Sequence, residues 1–176
     1  MLAIRREMTA EEAAAGSAEI CRRVIDVLDR WLTDMQGRTV FSYLAYGREV
    51  DLTAVHDWLW ARGYKLAVPR TYDLPPGIMQ AVEYGPDSEL FKVALGVYEP
   101  LETAVVQPAD IGVVLAPGVA FDVMNRRMGH GKGYYDRFLP QLSADVTVIG
   151  VGYRRQVLPQ IPADEFDRPM DLLITD

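Results

Sequence analysis

A change of character inside residues 111–140 constrains this chain more than any other feature. Ile111 to Ala116 is a short apolar run rich in branched side chains, which predicts a buried strand. Pro117-Gly118 ends it. A polar loop follows, with Gly129, Gly131 and Gly133 at alternate positions. Tyr134 to Leu142 then has helical spacing, with Tyr135, Phe138 and Leu139 as its apolar stripe.

Strand, glycine-rich loop and helix start, in that order, have a chemical use. Successive backbone N–H groups can point into one concavity and bind an anion, helped by the positive end of the helix. Glycine leaves the approach open. Arg126, Arg127, His130 and Lys132 crowd the same loop, and a guanidinium and an ammonium are the usual phosphate partners. Asp136 stands where a carboxylate can hold a hard cation such as Mg2+ against phosphates. The loop is not a Walker A sequence, because Gly133 follows Lys132 where Ser or Thr is required. It is not the dinucleotide fingerprint either, because Tyr134 takes the place of the third glycine.

The rest of the chain alternates helix and strand patterns. Thr9 to Met35 predicts the longest helix, opened by a Thr9/Glu12 capping box and stopped at Gly37. Ile20, Val24, Val27, Leu28, Trp31, Leu32 and Met35 form its inward stripe. Thr39–Leu44 predicts a strand, and Asp51 caps a helix through Arg62 with Leu52, Val55 and Leu59 inward. His56 is expected to face solvent or to lie half-buried on that helix. Lys65–Pro69 and Ile78–Tyr84 read as strands, and Pro86–Val93 as a short helix. Val146–Gly152 and Leu172–Thr175 close the list of strands. Such alternation predicts a three-layer α/β domain with a mainly parallel central sheet.

At 176 residues the simplest organisation is one domain over 1–176. Cys21 is the lone cysteine, so no internal disulfide can form, and it reads as a small packing residue. No apolar run approaches 18 residues and no secretory leader stands at Met1, so the expectation is a cytoplasmic protein without a membrane partner. The net charge of −7 argues against nucleic acid. Residues 126–137 nonetheless hold four Lys/Arg against Asp136 alone, and a basic island in an acidic chain suits a small anionic ligand.

The residues themselves resemble a known family. PGVAFD at 117–122, followed by RMGHGKGYYDRFL at 127–139, is similar to the signature of the 5-formyltetrahydrofolate cyclo-ligases, also called methenyltetrahydrofolate synthetases. The chain departs from it at Asn125, where the family usually has glycine, and at Met128, where it usually has leucine. Asn tolerates the left-handed backbone better than most residues. Met conserves the volume of Leu.

The resemblance covers roughly residues 8–175 and implies a three-layer, Rossmann-like α/β fold. It implies ATP-dependent closure of 5-formyltetrahydrofolate, with or without a polyglutamate tail, to 5,10-methenyltetrahydrofolate; a monomer is expected. Arg127, Lys132 and Tyr134 would be catalytic, and the stretch from Arg127 and Met128 through Gly129, His130, Gly131, Lys132 and Gly133 to Tyr134 and Tyr135 would bind the nucleotide. Leu44 and Glu49, with His130 and Tyr134, would contact the folate. Asp136 and Asp167 would hold Mg2+. One of the two tyrosines is expected to pack and the other to serve the site. Family members also carry a Lys and an Arg four residues apart in an N-terminal helix. Those positions fall before Met1 here, and Arg5 and Arg6 match later basic residues. This leaves open a folate- or nucleotide-binding homologue with weak or no turnover. A different enzyme of phosphorylated ligands on the same fold is a further alternative, and a protein-interaction domain is a third.

Overall fold

The apolar runs assemble into a seven-stranded sheet. The computed structural model describes residues 7–31, 37–93, 96–101, 103–162 and 168–176. In chain order the elements are α1 (Ala10–Trp31), β1 (Thr39–Phe41), α2 (Thr53–Ala61), β2 (Lys65–Arg70), β3 (Gln80–Glu83), β4 (Leu90–Lys92), β5 (Tyr98–Pro100) and β6 (Val105–Val106). There follow β7 (Ile111–Pro117), β8 (Ala120–Asp122), β9 (Arg127–Met128), α3 (Tyr134–Phe138), β10 (Thr147–Val151), β11 (Val157–Leu158) and β12 (Leu172–Ile174). The spatial order is β12-β10-β7-β1-β2-β3-β6. The pairs from β12 through β2 are parallel, while β2–β3 and β3–β6 are antiparallel.

Strand β7 explains the layering. All its residues from Ile111 to Ala116 are buried. Because side chains alternate along a strand, Val113 and Leu115 pack with α1 and α2, through Ile20, Val24, Leu28, Val55 and Leu59. Val114 and Ala116 face the other way, toward Phe138, Leu139 and Met170. A strand covered on both sides requires an unbroken apolar run, and the sequence supplies it. Each fully buried Leu or Ile contributes roughly 1.5–3 kcal/mol relative to exposure.

Local chemistry sets the helix ends. The Thr9 hydroxyl accepts from the Glu12 N–H at 3.1 Å and the Glu12 carboxylate accepts from the Thr9 N–H at 2.8 Å, so the capping box forms. Trp31, expected inward, is 38% exposed, because the stripe drifts off the core at the helix end. Leu32 and Met35 lie outside the described residues. Leu52, not Asp51, is the N-cap residue of α2; the Asp51 carboxylate, one residue earlier, accepts from the Thr53 N–H at 2.9 Å. Cys21 is buried, and its Sγ donates to the Asp51 carbonyl at 3.1 Å. No helix among the described residues is long and apolar enough to cross a membrane.

Three expectations need correction. Pro86–Val93 is not a helix: Leu90–Lys92 forms β4, antiparallel to β5, because cross-strand pairing outweighs local propensity. The glycine-rich segment is not all loop, since β8 and β9 form a hairpin within it and β11 joins β8 in parallel. His56 is not at the surface. It is 3% exposed, and its Nε2 lies 2.8 Å from the Ser42 hydroxyl, beside the rings of Trp60 and Tyr84.

Burial holds the His56 imidazole down to about 4, against the pull of Asp51 and Asp57. The unfolded chain, with an ordinary histidine near 6.5, therefore binds the proton more readily, and stability is lost as pH falls from 6.5 toward 4. From this group alone, lowering the pH from 7 to 5 is expected to cost roughly 2 kcal/mol. Urea denaturation at the two pH values, compared with His56→Gln, checks it: the pH-dependent loss should shrink in the variant.

Candidate functional site

Strands β1 and β7 lie side by side and run in the same direction. From β1 the chain proceeds outward to β2, whereas β7 leads to β10 on the opposite side. The two connections diverge at their carboxyl ends and leave a crevice, the favoured ligand position in an open α/β sheet. A cleft of about 660 Å3 sits there. Tyr43, Leu44, Tyr46 and Glu49 come from the segment after β1. Pro117, Gly118 and most of the glycine-rich segment come from after β7.

The glycine-rich segment is anchored before it reaches the cleft. Asp122, fully buried at the end of β8, accepts from the N–H groups of Met124, Arg126 and Ile161 and from the Arg126 guanidinium at 2.7 Å. Burial disfavours its charge, but Arg126 and the three amides outweigh that and hold the carboxyl at about 2. Asn125 closes this turn with φ +57, the left-handed conformation for which asparagine is suited. Gln156 donates to the carbonyls of Gly118 and Val119 at 2.8 and 3.1 Å and fixes the start of the segment.

Inside the cleft, one ion pair lies within the glycine-rich segment and one contact joins it to the opposite loop. The Arg127 side chain is 5% exposed; its Nη2 donates to Asp136 Oδ1 at 2.7 Å and its guanidinium lies 4.9 Å from the Tyr135 ring centre. His130 Nε2 lies 3.5 Å from Glu49 Oε1, joining the two loops, while Glu49 Oε2 accepts from the Tyr46 N–H at 3.1 Å. Lys132 is exposed at the lip. Gly133 adopts φ +68 immediately before α3. The Tyr135 hydroxyl is buried without a hydrogen-bond partner among the described residues, and burial pushes its pKa above the ordinary phenol value.

The cleft therefore gathers Leu44, Glu49, Arg127, Gly129, His130, Lys132, Gly133, Tyr134, Tyr135 and Asp136 from two distant stretches. Met128, half-buried in β9, and Gly131, exposed in the loop, do not line it. Asp167, Arg5 and Arg6 lie outside the described residues. Tyr134 and Tyr135 are not divided between packing and site: both line the cleft and both pack on the core beneath α3. Among the described residues no group of three or more His, Cys, Asp or Glu is arranged to hold a metal ion.

The sequence did not reveal the outer wall. Thr71, Tyr72, Tyr98 and Glu99 line it. Glu99 is 2% exposed and accepts from the Thr71 hydroxyl at 2.6 Å and from the Thr71 and Tyr72 N–H groups, fastening β5 to the end of β2. The Tyr72 ring packs edge-on against Phe91 of β4 at 4.9 Å. Six of the nine tyrosines face this one cleft (43, 46, 72, 98, 134 and 135), which suits a flat aromatic ligand.

The family model for the 5-formyltetrahydrofolate cyclo-ligases matches residues 1–176. The chain belongs to this family. As a cyclo-ligase family member it is an enzyme of the ligase class. The 5-formyltetrahydrofolate cyclo-ligase of Escherichia coli K12 is 30% identical over 144 residues, which cover 80% of this chain and 79% of that protein. The cyclo-ligase of Mycolicibacterium smegmatis is 30% identical over 178 residues, covering 97% and 87%. The solution structure of 5,10-methenyltetrahydrofolate synthetase from Aquifex aeolicus aligns with a TM-score of 0.77 at 30% identity, covering 98% of this chain and 84% of that one. A synthetase structure from Mycoplasma pneumoniae, 24% identical, shares the fold with a TM-score of 0.81.

Within this cleft Gly133 should be poorly replaced by any other residue. A Cβ there would collide with Arg137 Nη1, and φ +68 strains any L side chain. Gly133→Ala is expected to cost about 1–2 kcal/mol in urea denaturation and to weaken binding of inorganic triphosphate measured by calorimetry. Unchanged triphosphate affinity would place the anion elsewhere.

Proposed function

We propose that the chain closes 5-formyltetrahydrofolate to 5,10-methenyltetrahydrofolate, consuming ATP and releasing ADP and phosphate. One observation carries this reading: the cationic glycine loop and an aromatic, Glu49-bearing wall meet in a single cleft at the strand switch point. An anion and a flat heterocycle can be held there side by side.

The chemistry is phosphoryl transfer followed by ring closure. The formyl oxygen attacks the γ-phosphorus and ADP leaves. Nitrogen 10 then attacks the activated formyl carbon, loses its proton, and the carbon–oxygen bond breaks to release phosphate. In such transfers the protein mainly positions groups and neutralises charge. Arg127 is already oriented by Asp136 and by the Tyr135 face, so little reorganisation precedes its use on a phosphate oxygen. Lys132 adds a point charge at the lip. Backbone at Gly129, His130, Lys132 and Gly133 completes the cradle.

Glu49, held by the Tyr46 N–H and facing His130, orients the folate, and Leu44 offers it an apolar contact. Tyr134 and Tyr135 line the join between the two ligands. The unpartnered Tyr135 hydroxyl can supply a hydrogen bond there. Asp136 is 42% exposed beside the loop, and Mg2+ carried by a triphosphate needs only one or two protein carboxylates, so the side chains fit that ion. Asp136, together with Asp167, would hold it, and bound there it would neutralise charge on the phosphates.

Incubation with 5-formyltetrahydrofolate and MgATP should generate the near-ultraviolet absorption of the methenyl product. Tight folate binding without product would identify a binding homologue instead. Lys132→Ala is expected to lower kcat/KM roughly 100-fold while the melting temperature barely moves, because the side chain is exposed. An unaltered rate in that variant removes Lys132 from the mechanism.

A further inference from the structure

Arg137 has no part in the chemistry above, yet its side chain is committed. It lies in α3, four residues after Gly133. Its Nη1 donates to the carbonyl oxygens of Lys132 at 3.0 Å and Gly133 at 2.8 Å. A trans peptide is planar, so its N–H points opposite to its C=O. Holding these two carbonyls therefore fixes the N–H groups of Gly133 and Tyr134, which point away from the guanidinium. It also fixes the main chain from which the Lys132 side chain departs. Peptides flanking glycine have the most rotational freedom to lose.

The guanidinium is braced on its other side. A Cβ added at Gly77 would stand 2.8 Å from Arg137 Cζ. The group thus packs between two bare glycine backbones, one in the loop and one in the Pro75-Pro76-Gly77 turn. Pro76, Gly77, Lys132, Tyr134 and Arg137 surround a second hollow of about 290 Å3 that shares three of these residues with the main cleft. Arg137 is exposed, so these contacts, rather than burial, hold its side chain.

We propose that Arg137 is a positioning residue for the nucleotide: it locks the peptide planes at 132–134 and steadies Lys132 against the 75–77 turn, so that the loop is preset for phosphate. The proposal rests on the ATP-dependent reading above. It predicts a selective defect. Arg137→Ala should raise KM for ATP roughly tenfold, since small misplacements at a reacting group are costly. The Kd for 5-formyltetrahydrofolate without nucleotide should stay within about twofold, because the Glu49 side of the cleft is untouched. Gly77→Ala, which pushes on the guanidinium and also strains the turn at φ +82, should raise KM for ATP together with a lowered melting temperature, and the KM of the double variant should be little above either.

An unchanged KM for ATP in Arg137→Ala overturns the proposal. So does a parallel rise in KM for ATP and Kd for folate with a lowered melting temperature, which would mark a general structural role. Wild-type protein that forms no product with ATP defeats the functional reading and this inference together. Wild-type turnover with an unaffected Arg137→Ala defeats this inference alone.

Discussion

The parallel pairing of β1 with β7 is the contact on which the site depends. It sets two chain segments, 70 residues apart, at the same edge of the sheet and sends them in opposite directions. The aromatic and acidic groups after β1 then face the cationic loop after β7. The pairing is possible because β7 is apolar on both faces and both faces are covered, by α1 and α2 on one side and by α3 on the other. Replacing this apolar run by an alternating one would leave one layer without a surface to pack on.

Charge is handled differently at three depths. Deepest, Asp122 is surrounded by backbone donors and Arg126, which shapes the hairpin turn and leaves that carboxylate nothing to offer a ligand. At the cleft floor, Arg127 is buried but compensated by Asp136, so its position is set without the cost of an isolated buried charge. At the lip, Lys132 and His130 meet solvent.

Much of this was legible in the sequence where the signal was local. The β7 run, the capping box at Thr9, the left-handed Asn125 and the basic loop each follow from neighbouring residues. The placement of Glu49 opposite His130 was reachable only through the family resemblance, because nothing near Glu49 marks it. The segment of β4 reads as a helix from its own composition, since its partner strand β5 decides its form. His56 reads as solvent-facing or half-buried because its full burial depends on Ser42, 14 residues earlier, and on Tyr84, 28 later. Tyr72 and Tyr98 were missed for the same reason: each is an ordinary turn or strand residue until Glu99 brings their segments together.

The most direct test of the central claim is a nitrogen–proton correlation titration, following backbone amides as ligands are added separately. Inorganic triphosphate should shift amides of Gly129–Gly133, and 5-formyltetrahydrofolate should shift those of Tyr43–Glu49. Triphosphate perturbations confined to residues away from the glycine loop would contradict the account.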